Sequence, residues 1–291
     1  MTSEDHNRQS AIDNRQFPWS DLPRVIRDGL AEDVAGGDVT TDLLFGNDGE
    51  TRAVFRAKQD GVLAGLPAAL QVFRTLDPAI RLTALAEDGQ RVSAGQELAT
   101  VEGRRSVVLT GERLALNLLQ RMSGIATLAR RYVDAVAGRP VTILDTRKTA
   151  PGLRALDKYA VRCGGATNHR LNLHELAMVK DNHLKLAGGI GPAVARLRAQ
   201  APGLRIEVET ASLDQVREAL AAGADIIMLD NMDLATMRAA VHLVAGRAQV
   251  EASGSIALDQ VRAVAETGVN VISIGRLTHS APALDISMKV V

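Results

Sequence analysis

From Val141 onward the sequence keeps one rhythm, a short apolar run followed by a stretch with helical spacing. The runs are Val141–Leu144, Leu176–Val179, Arg205–Val208, Ile226–Leu229, Gln249–Ala252 and Val269–Ile274. Between and after them, Leu153–Val161, Pro192–Gln200, Leu213–Ala222, Leu234–Val244 and Leu258–Glu266 space their apolar residues as amphipathic helices do. Short strands that alternate with helices predict a parallel sheet built from right-handed β-α-β crossovers. Such units close towards a barrel, and six strands fall short of the usual eight. The expectation is an incomplete parallel α/β barrel. Composition agrees: 46% of residues are apolar but only 2% aromatic, so the core is aliphatic, as in parallel strands covered by helices.

Before Val141 the rhythm is different. Residues 1–20 read as a flexible polar tail, Leu22–Ala31 as a short amphipathic helix, and Glu32–Thr41 as a turn-rich segment. Thr51–Ala57, Gly61–Gly65 and Arg81–Leu85 read as strands, with a helix at Leu66–Thr75. Glu87–Gly103 carries a DGxxVxxGxxL pattern that resembles half of a biotinyl/lipoyl-type β-hammerhead. A carrier domain needs an exposed lysine on a hairpin tip, and none occurs between Lys58 and Lys148, so this is a structural β-layer. Ser106–Val136 is a long helical region that Gly124 is expected to divide. Leu284–Val291 alternates like a last strand returning to the first domain. The domains expected are a tail at 1–20, an N-terminal α/β sandwich at 21–123 joined by 284–291, and the barrel at 124–283.

The 34 basic and 34 acidic residues cancel, which argues against a nucleic-acid partner. Cys163 is the only cysteine, so no disulfide forms within the chain, and no activating base stands near it in sequence. It reads as structural. No apolar run reaches 18 residues and the first twenty are polar, so neither a membrane span nor a secretory signal is expected, and the cytoplasm is the default.

Chemistry gathers where the strands stop. In parallel α/β proteins ligands sit at the carboxyl ends of strands. The first run ends in Asp145-Thr146-Arg147-Lys148-Thr149, and the second in Lys180-Asp181-Asn182-His183, with Asn168-His169-Arg170 between them. The chain has six lysines, and two of them fall at these strand ends. Arg147, Lys148, His169, Arg170 and Lys180 are therefore placed to converge on one anionic ligand. His169 and His174 do not form a helical metal-binding pair, so His169 reads as a hydrogen-bonder. The middle strands end in carboxylates, Glu209 and Asp230, suited to ribose hydroxyls or Mg²⁺. The late ones end in Ser253-Gly254-Ser255, leading into a helix, and in Gly275; both suit a phosphate held by backbone N–H groups. The set fits a phosphorylated sugar together with a second acidic group.

These residues are similar to those of the quinolinate phosphoribosyltransferase family. The resemblance rests on Gly111-Glu112-Arg113 with Asn117, Asp145–Thr149, Asn168-His169-Arg170, Lys180–His183, Glu207-Val208-Glu209, Leu229-Asp230-Asn231 and Glu251-Ala252-Ser253-Gly254. It implies transfer of the phosphoribosyl group of phosphoribosyl pyrophosphate to quinolinate, with decarboxylation to nicotinate mononucleotide and Mg²⁺ as cofactor. It implies a homodimer in which Arg113 reaches the partner's site. The substrate-binding set it implies is Arg113, Thr146, Arg147, Lys148, His169, Arg170, Lys180, Glu209, Asp230, Ser253, Gly254, Ser255 and Gly275. Of these, Lys148, Lys180, Glu209 and Asp230 are the catalytic residues, and Glu209 and Asp230 the metal ligands. The alternatives are a related phosphoribosyltransferase acting on nicotinate or another pyridine, and a non-enzymatic binder of a phosphorylated ligand. The number of cations favours two carboxylates on the substrate, and a mere binder has no need of both acids.

Overall fold

The structure is a computed structural model that describes residues 18–45 and 49–291. Residues 1–17 of the expected tail lie outside the described residues. Two compact units share the chain. One gathers the residues up to Arg130 with Thr149–Gly165 and Leu277–Val291; the other is Arg131–Lys148 with Ala166–Arg276. Among the described residues the strands in chain order are β1 (Glu50–Ala57), β2 (Gly61–Val62), β3 (Arg81–Ala84), β4 (Arg91–Val92), β5 (Glu97–Arg104), β6 (Thr142–Leu144), β7 (Ala177–Val179), β8 (Ile206–Thr210), β9 (Ile226–Asp230), β10 (Gln249–Ser253), β11 (Val271–Ser273) and β12 (Ile286–Val290).

In the first unit an antiparallel sheet runs in the order β12-β1-β5-β3. Against it packs helix Leu66–Leu76, with Phe55 and Phe73 meeting edge-on at 6.0 Å, and a second helix, Arg105–Ala135, is tied to β12 where Gln120 Nε2 donates to Ile286 O at 2.7 Å. The second helix has 31 residues and extends about 46 Å without a break. The expected division at Gly124 is corrected. A Cβ on Gly124 would lie 2.1 Å from the Pro282 carbonyl oxygen, so this glycine admits a passing backbone rather than ending a helix. The turn-rich segment is corrected in part too. Val39–Leu44 is a helix, and the Asp38 carboxylate accepts from the Thr41 N–H at 3.1 Å to cap it.

Helix Arg154–Cys163 also belongs to this unit. Arg121 donates to both oxygens of the buried Asp157 at 2.9 and 2.8 Å, and the Tyr159 hydroxyl donates to Asp88 at 2.9 Å. Asp88 also caps helix Leu66–Leu76 by accepting from the N–H groups of Gly65 and Leu66. Cys163 is buried here, and burial pushes its thiol well above the ordinary range. That is the opposite of what an activated nucleophile needs.

The second unit is a parallel sheet in the order β6-β11-β10-β9-β8-β7, its two edges being β6 and β7. Short caps start its helices where they are needed. Ser212 accepts from Gln215 N–H ahead of Leu213–Ala221, and Asp233 from Thr236 N–H ahead of Leu234–Val244. A helix at Asp181–Ala187 was not anticipated; it follows β7 directly and ends in the left-handed Gly188. The helix expected at Leu258–Glu266 is shorter, Val261–Ala265, and begins eight residues after Ser253.

The gap between the edge strands is bridged by Thr167–Arg170. Thr167 N–H donates to Ile143 O at 2.9 Å, and Asp145 N–H to Thr167 O at 3.1 Å, which docks the segment on β6. Arg170 Nη1 donates to Leu176 O at 2.7 Å, and its Nη2 approaches Met178 Sδ at 3.6 Å, which docks it on β7.

Candidate active site

All six strands of the second unit are parallel, so their carboxyl ends share one edge. In sheet order that edge carries Arg147 and Lys148 after β6, Gly275 after β11, and Ser253–Ser255 at and after β10. Asp230 follows on β9, Glu209 on β8 and Lys180 after β7. Register pairs Ser253 with Asp230 and Glu251 with Met228, which itself pairs with Glu209. In-register residues of parallel strands share a face, as do residues two apart. Glu207, Glu209, Asp230, Glu251 and Ser253 therefore line one face, on which Glu209, Asp230 and Ser253 are part-exposed and Glu207 and Glu251 are buried.

The cations stand by these buried acids. Asp145, fully buried at the end of β6, accepts from His169 N–H at 2.8 Å and from Asn168 Nδ2 at 2.7 Å. That fixes the backbone of the bridging segment. When the ring is neutral, His169 Nδ1 accepts from Arg170 N–H at 2.7 Å; Nε2 faces Glu207 at 3.2 Å and Glu251 at 3.5 Å. Neither Glu207 oxygen has an aligned hydrogen-bond donor; its contact with His169 is ionic. Ser273 donates its hydroxyl proton to Glu251. Burial alone would lower the His169 imidazole pKa, but the two carboxylates outweigh it and push the group up to about 9. Burial raises the Glu207 carboxyl as well, helped by Glu251 and opposed by His169.

Arg170 is half-buried, and burial followed by the nearby charge of Arg147 lowers its pKa. The buried Arg147 Nε has no hydrogen-bond partner. Two neighbouring guanidiniums are suited to an anion set between them. Thr146 Oγ1 accepts from Lys148 N–H at 3.1 Å and shapes the turn that presents Lys148 to solvent. Across the edge Lys180 Nζ pairs with Glu209 Oε2 at 2.9 Å. His183 Nδ1 accepts from Lys180 N–H at 3.1 Å and so caps helix Asp181–Ala187. Asn231 and Ser253–Ser255 border a cavity of about 460 Å³.

The sequence comparisons meet this geometry. The family model for the quinolinate phosphoribosyl transferase C-terminal domain matches residues 125–289, and that for the N-terminal domain matches residues 38–123. The chain belongs to the quinolinate phosphoribosyltransferase family. A probable nicotinate-nucleotide pyrophosphorylase (carboxylating) from Synechocystis sp. is 47% identical over 279 residues, covering 94% of each chain. The chloroplastic nicotinate-nucleotide pyrophosphorylase (carboxylating) of Arabidopsis thaliana is 43% identical, over 94% of this chain and 84% of its own. The solved nicotinate-nucleotide pyrophosphorylase of Francisella tularensis superposes with a TM-score of 0.90 at 37% identity, covering 98% and 99% of the two chains.

A quinolinate phosphoribosyltransferase is expected to use Mg²⁺, and the rim suits it. Mg²⁺ takes oxygen ligands, usually one or two carboxylates plus substrate phosphates and water. Glu209 and Asp230 are part-exposed and offer those oxygens. Among the described residues, the group whose ligand atoms lie within 4.8 Å of one another is a different one, His169, Glu207 and Glu251. It is buried and offers a nitrogen, which suits Mg²⁺ poorly.

Arg113 is exposed on helix Arg105–Ala135 and belongs to the first unit. Sequence reasoning gave no role to Asp145, Glu207 or Glu251. The available signal was an acid inside or closing an apolar run, two residues from a rim residue in the case of Glu207 and Glu251.

Proposed function

We infer that this chain carries out its family's reaction, in which quinolinate and phosphoribosyl pyrophosphate give nicotinate mononucleotide, CO₂ and pyrophosphate. This serves NAD biosynthesis. The observation that carries the reading is the order along one sheet edge: paired guanidiniums, a Ser-Gly-Ser turn, two carboxylates and a lysine.

Quinolinate carries two adjacent carboxylates. Arg147 and Arg170 grip them bidentately, with His169 and Lys180 adding charge and Thr146 a hydrogen bond. The ring nitrogen, so oriented, attacks C1 of the ribose as pyrophosphate leaves. Positive charge builds on the sugar, so positioning and electrostatics dominate the barrier. Glu209 and Asp230 hold the ribose hydroxyls and face that charge. Lys148 meets the pyrophosphate, while Ser253, Gly254, Ser255 and Gly275 hold the 5′-phosphate. Bound Mg²⁺, held by Glu209 and Asp230, would neutralise charge on the leaving pyrophosphate. Once the nitrogen is ribosylated, the 2-carboxylate departs as CO₂, its bonding pair stays on C2 as a carbanion stabilised by the adjacent positive nitrogen, and a proton closes C2.

Arg113 of the partner subunit completes the cationic pocket in a homodimer. The cytoplasm is the compartment we assign; no helix among the described residues is long and apolar enough to cross a membrane.

The test is incubation with quinolinate, phosphoribosyl pyrophosphate and Mg²⁺, following nicotinate mononucleotide and CO₂, with nicotinate in parallel. Product from quinolinate alone is expected. Product only from nicotinate would remove the dicarboxylate pocket while keeping the fold.

A further inference from the structure

Asn231 stands between the two groups assigned to the sugar phosphate. It follows Asp230 at the end of β9 and, with Ala245, is one of two non-glycine residues with positive φ among the described residues, at 52°. Ala245 merely caps helix Leu234–Val244. Asn231 turns the chain at the active edge, and asparagine tolerates that left-handed conformation better than most side chains.

Its side chain makes a bridge. Nδ2 donates to Asp230 Oδ2 at 2.9 Å, and Oδ1 accepts from Ser255 N–H at 3.4 Å. Only this orientation of the amide satisfies both partners, since Asp230 can only accept and the Ser255 amide can only donate. The backbone adds a third tie, Asn231 N–H to Ser253 O at 3.0 Å. Gly254 presses on the same amide. Its φ is 134°, and a Cβ there would lie 2.5 Å from Asn231 Oδ1. Three consecutive residues of the Ser-Gly-Ser turn therefore contact one asparagine, and the asparagine holds the neighbouring carboxylate. Asn231 and the three turn residues border the 460 Å³ cavity.

We propose that Asn231 is a positioning residue that locks the Asp230 carboxylate and the Ser253–Ser255 turn into one unit, so that the ribose hydroxyls and 5′-phosphate of the donor are read at a fixed spacing. The proposal rests on the phosphoribosyl reading of this edge. Ribose 5-phosphate carries both groups on one small frame, so a shift of the turn relative to the carboxylate breaks one contact or the other. Quinolinate recognition lies with other residues and is untouched.

The test uses two variants of the full chain. Asn231→Gly keeps the left-handed backbone without strain and removes both side-chain bonds. Asn231→Asp keeps an acceptor for Ser255 N–H but sets a like charge beside Asp230. Calorimetry measures ribose 5-phosphate and quinolinate separately, and steady-state assays give KM and kcat for phosphoribosyl pyrophosphate. Asn231→Gly should weaken ribose 5-phosphate and raise KM for the donor about tenfold, the size of one lost interaction of modest strength. Quinolinate affinity should stay within twofold. Asn231→Asp should retain more ribose 5-phosphate affinity than Asn231→Gly while losing kcat. Unchanged donor KM in folded Asn231→Gly would overturn the proposal. So would an equal loss of quinolinate affinity, which would mark a general structural role. Should Asn231→Gly melt early, the same comparison is made on Asn231→Asp, where unchanged kcat counts against the bridge. Wild-type protein that takes quinolinate but not ribose 5-phosphate would overturn the underlying phosphoribosyl reading itself, and the bridge with it.

Discussion

His169 Nε2 lies 3.2 Å from Glu207 in a setting where the histidine side chain is 8% exposed and the glutamate not at all. A charge pair so buried is costly unless it is matched. Glu251 and the two guanidiniums nearby provide the match. The raised pKa of His169, up to about 9, makes this a pH-dependent element. A histidine whose folded pKa exceeds its unfolded value of about 6.5 adds stability below that value and loses it as pH rises through about 9. The raised Glu207 carboxyl has the same sign, because ionising it on the way up costs stability. Denaturant melts from pH 6.5 to 9.5 should show a loss of at most about 3 kcal/mol in wild type. Glu207→Gln should flatten the curve. Parallel curves for the two proteins would show that the pair does not govern the change.

Arg170 combines two tasks. Its guanidinium bonds Leu176 O and stands beside Arg147. A lysine keeps the charge but loses the planar fork. Arg170→Lys should raise KM for quinolinate more than tenfold, with roughly 1–2 kcal/mol lost from the fold as the tie to β7 weakens. An unchanged KM would place the second substrate carboxylate elsewhere.

Gly124 offers a test with opposite signs. On helix propensity alone, Gly124→Ala should stabilise by about 1 kcal/mol. The Pro282 carbonyl 2.1 Å from the would-be Cβ predicts instead a clear fall in Tm, with a cost of several kcal/mol from displaced backbone. A rise in Tm would mean that the approach of Pro282 is not tight in solution.

The assigned role of Arg113 is tested by mixing. Arg113→Ala and Lys180→Ala should each be nearly inactive alone. Heterodimers of the two should regain a measurable share of activity, since one site in each would then hold both cations. Verified heterodimers without recovery would place Arg113 outside a shared site.

The sequence carried the second unit well because each of its strands is a compact apolar run stopped by polar residues or glycine. Ile226–Asp230 and Leu234–Val244 fall within a residue of their expected places. It carried less where one residue type serves two purposes. Gly124 looks like a helix breaker, and only tertiary contact shows it as a place of close approach. Lys180-Asp181-Asn182-His183 reads as the end of a strand, yet Asp181 sits in the first turn of a helix and Gly188 ends it. The rim residues were legible because charge after an apolar run is conspicuous. Glu207 and Glu251 were not, because an acid within a strand looks like an exception until register sets both on one face with His169 above them.

The bridging of β6 to β7 by Thr167–Arg170 has an evolutionary consequence. The residues assigned to gripping the pyridine dicarboxylate are also the clasp of an otherwise open sheet. Substitutions there change ligand preference and loosen the scaffold together, so drift towards a new pyridine is constrained at its most obvious point.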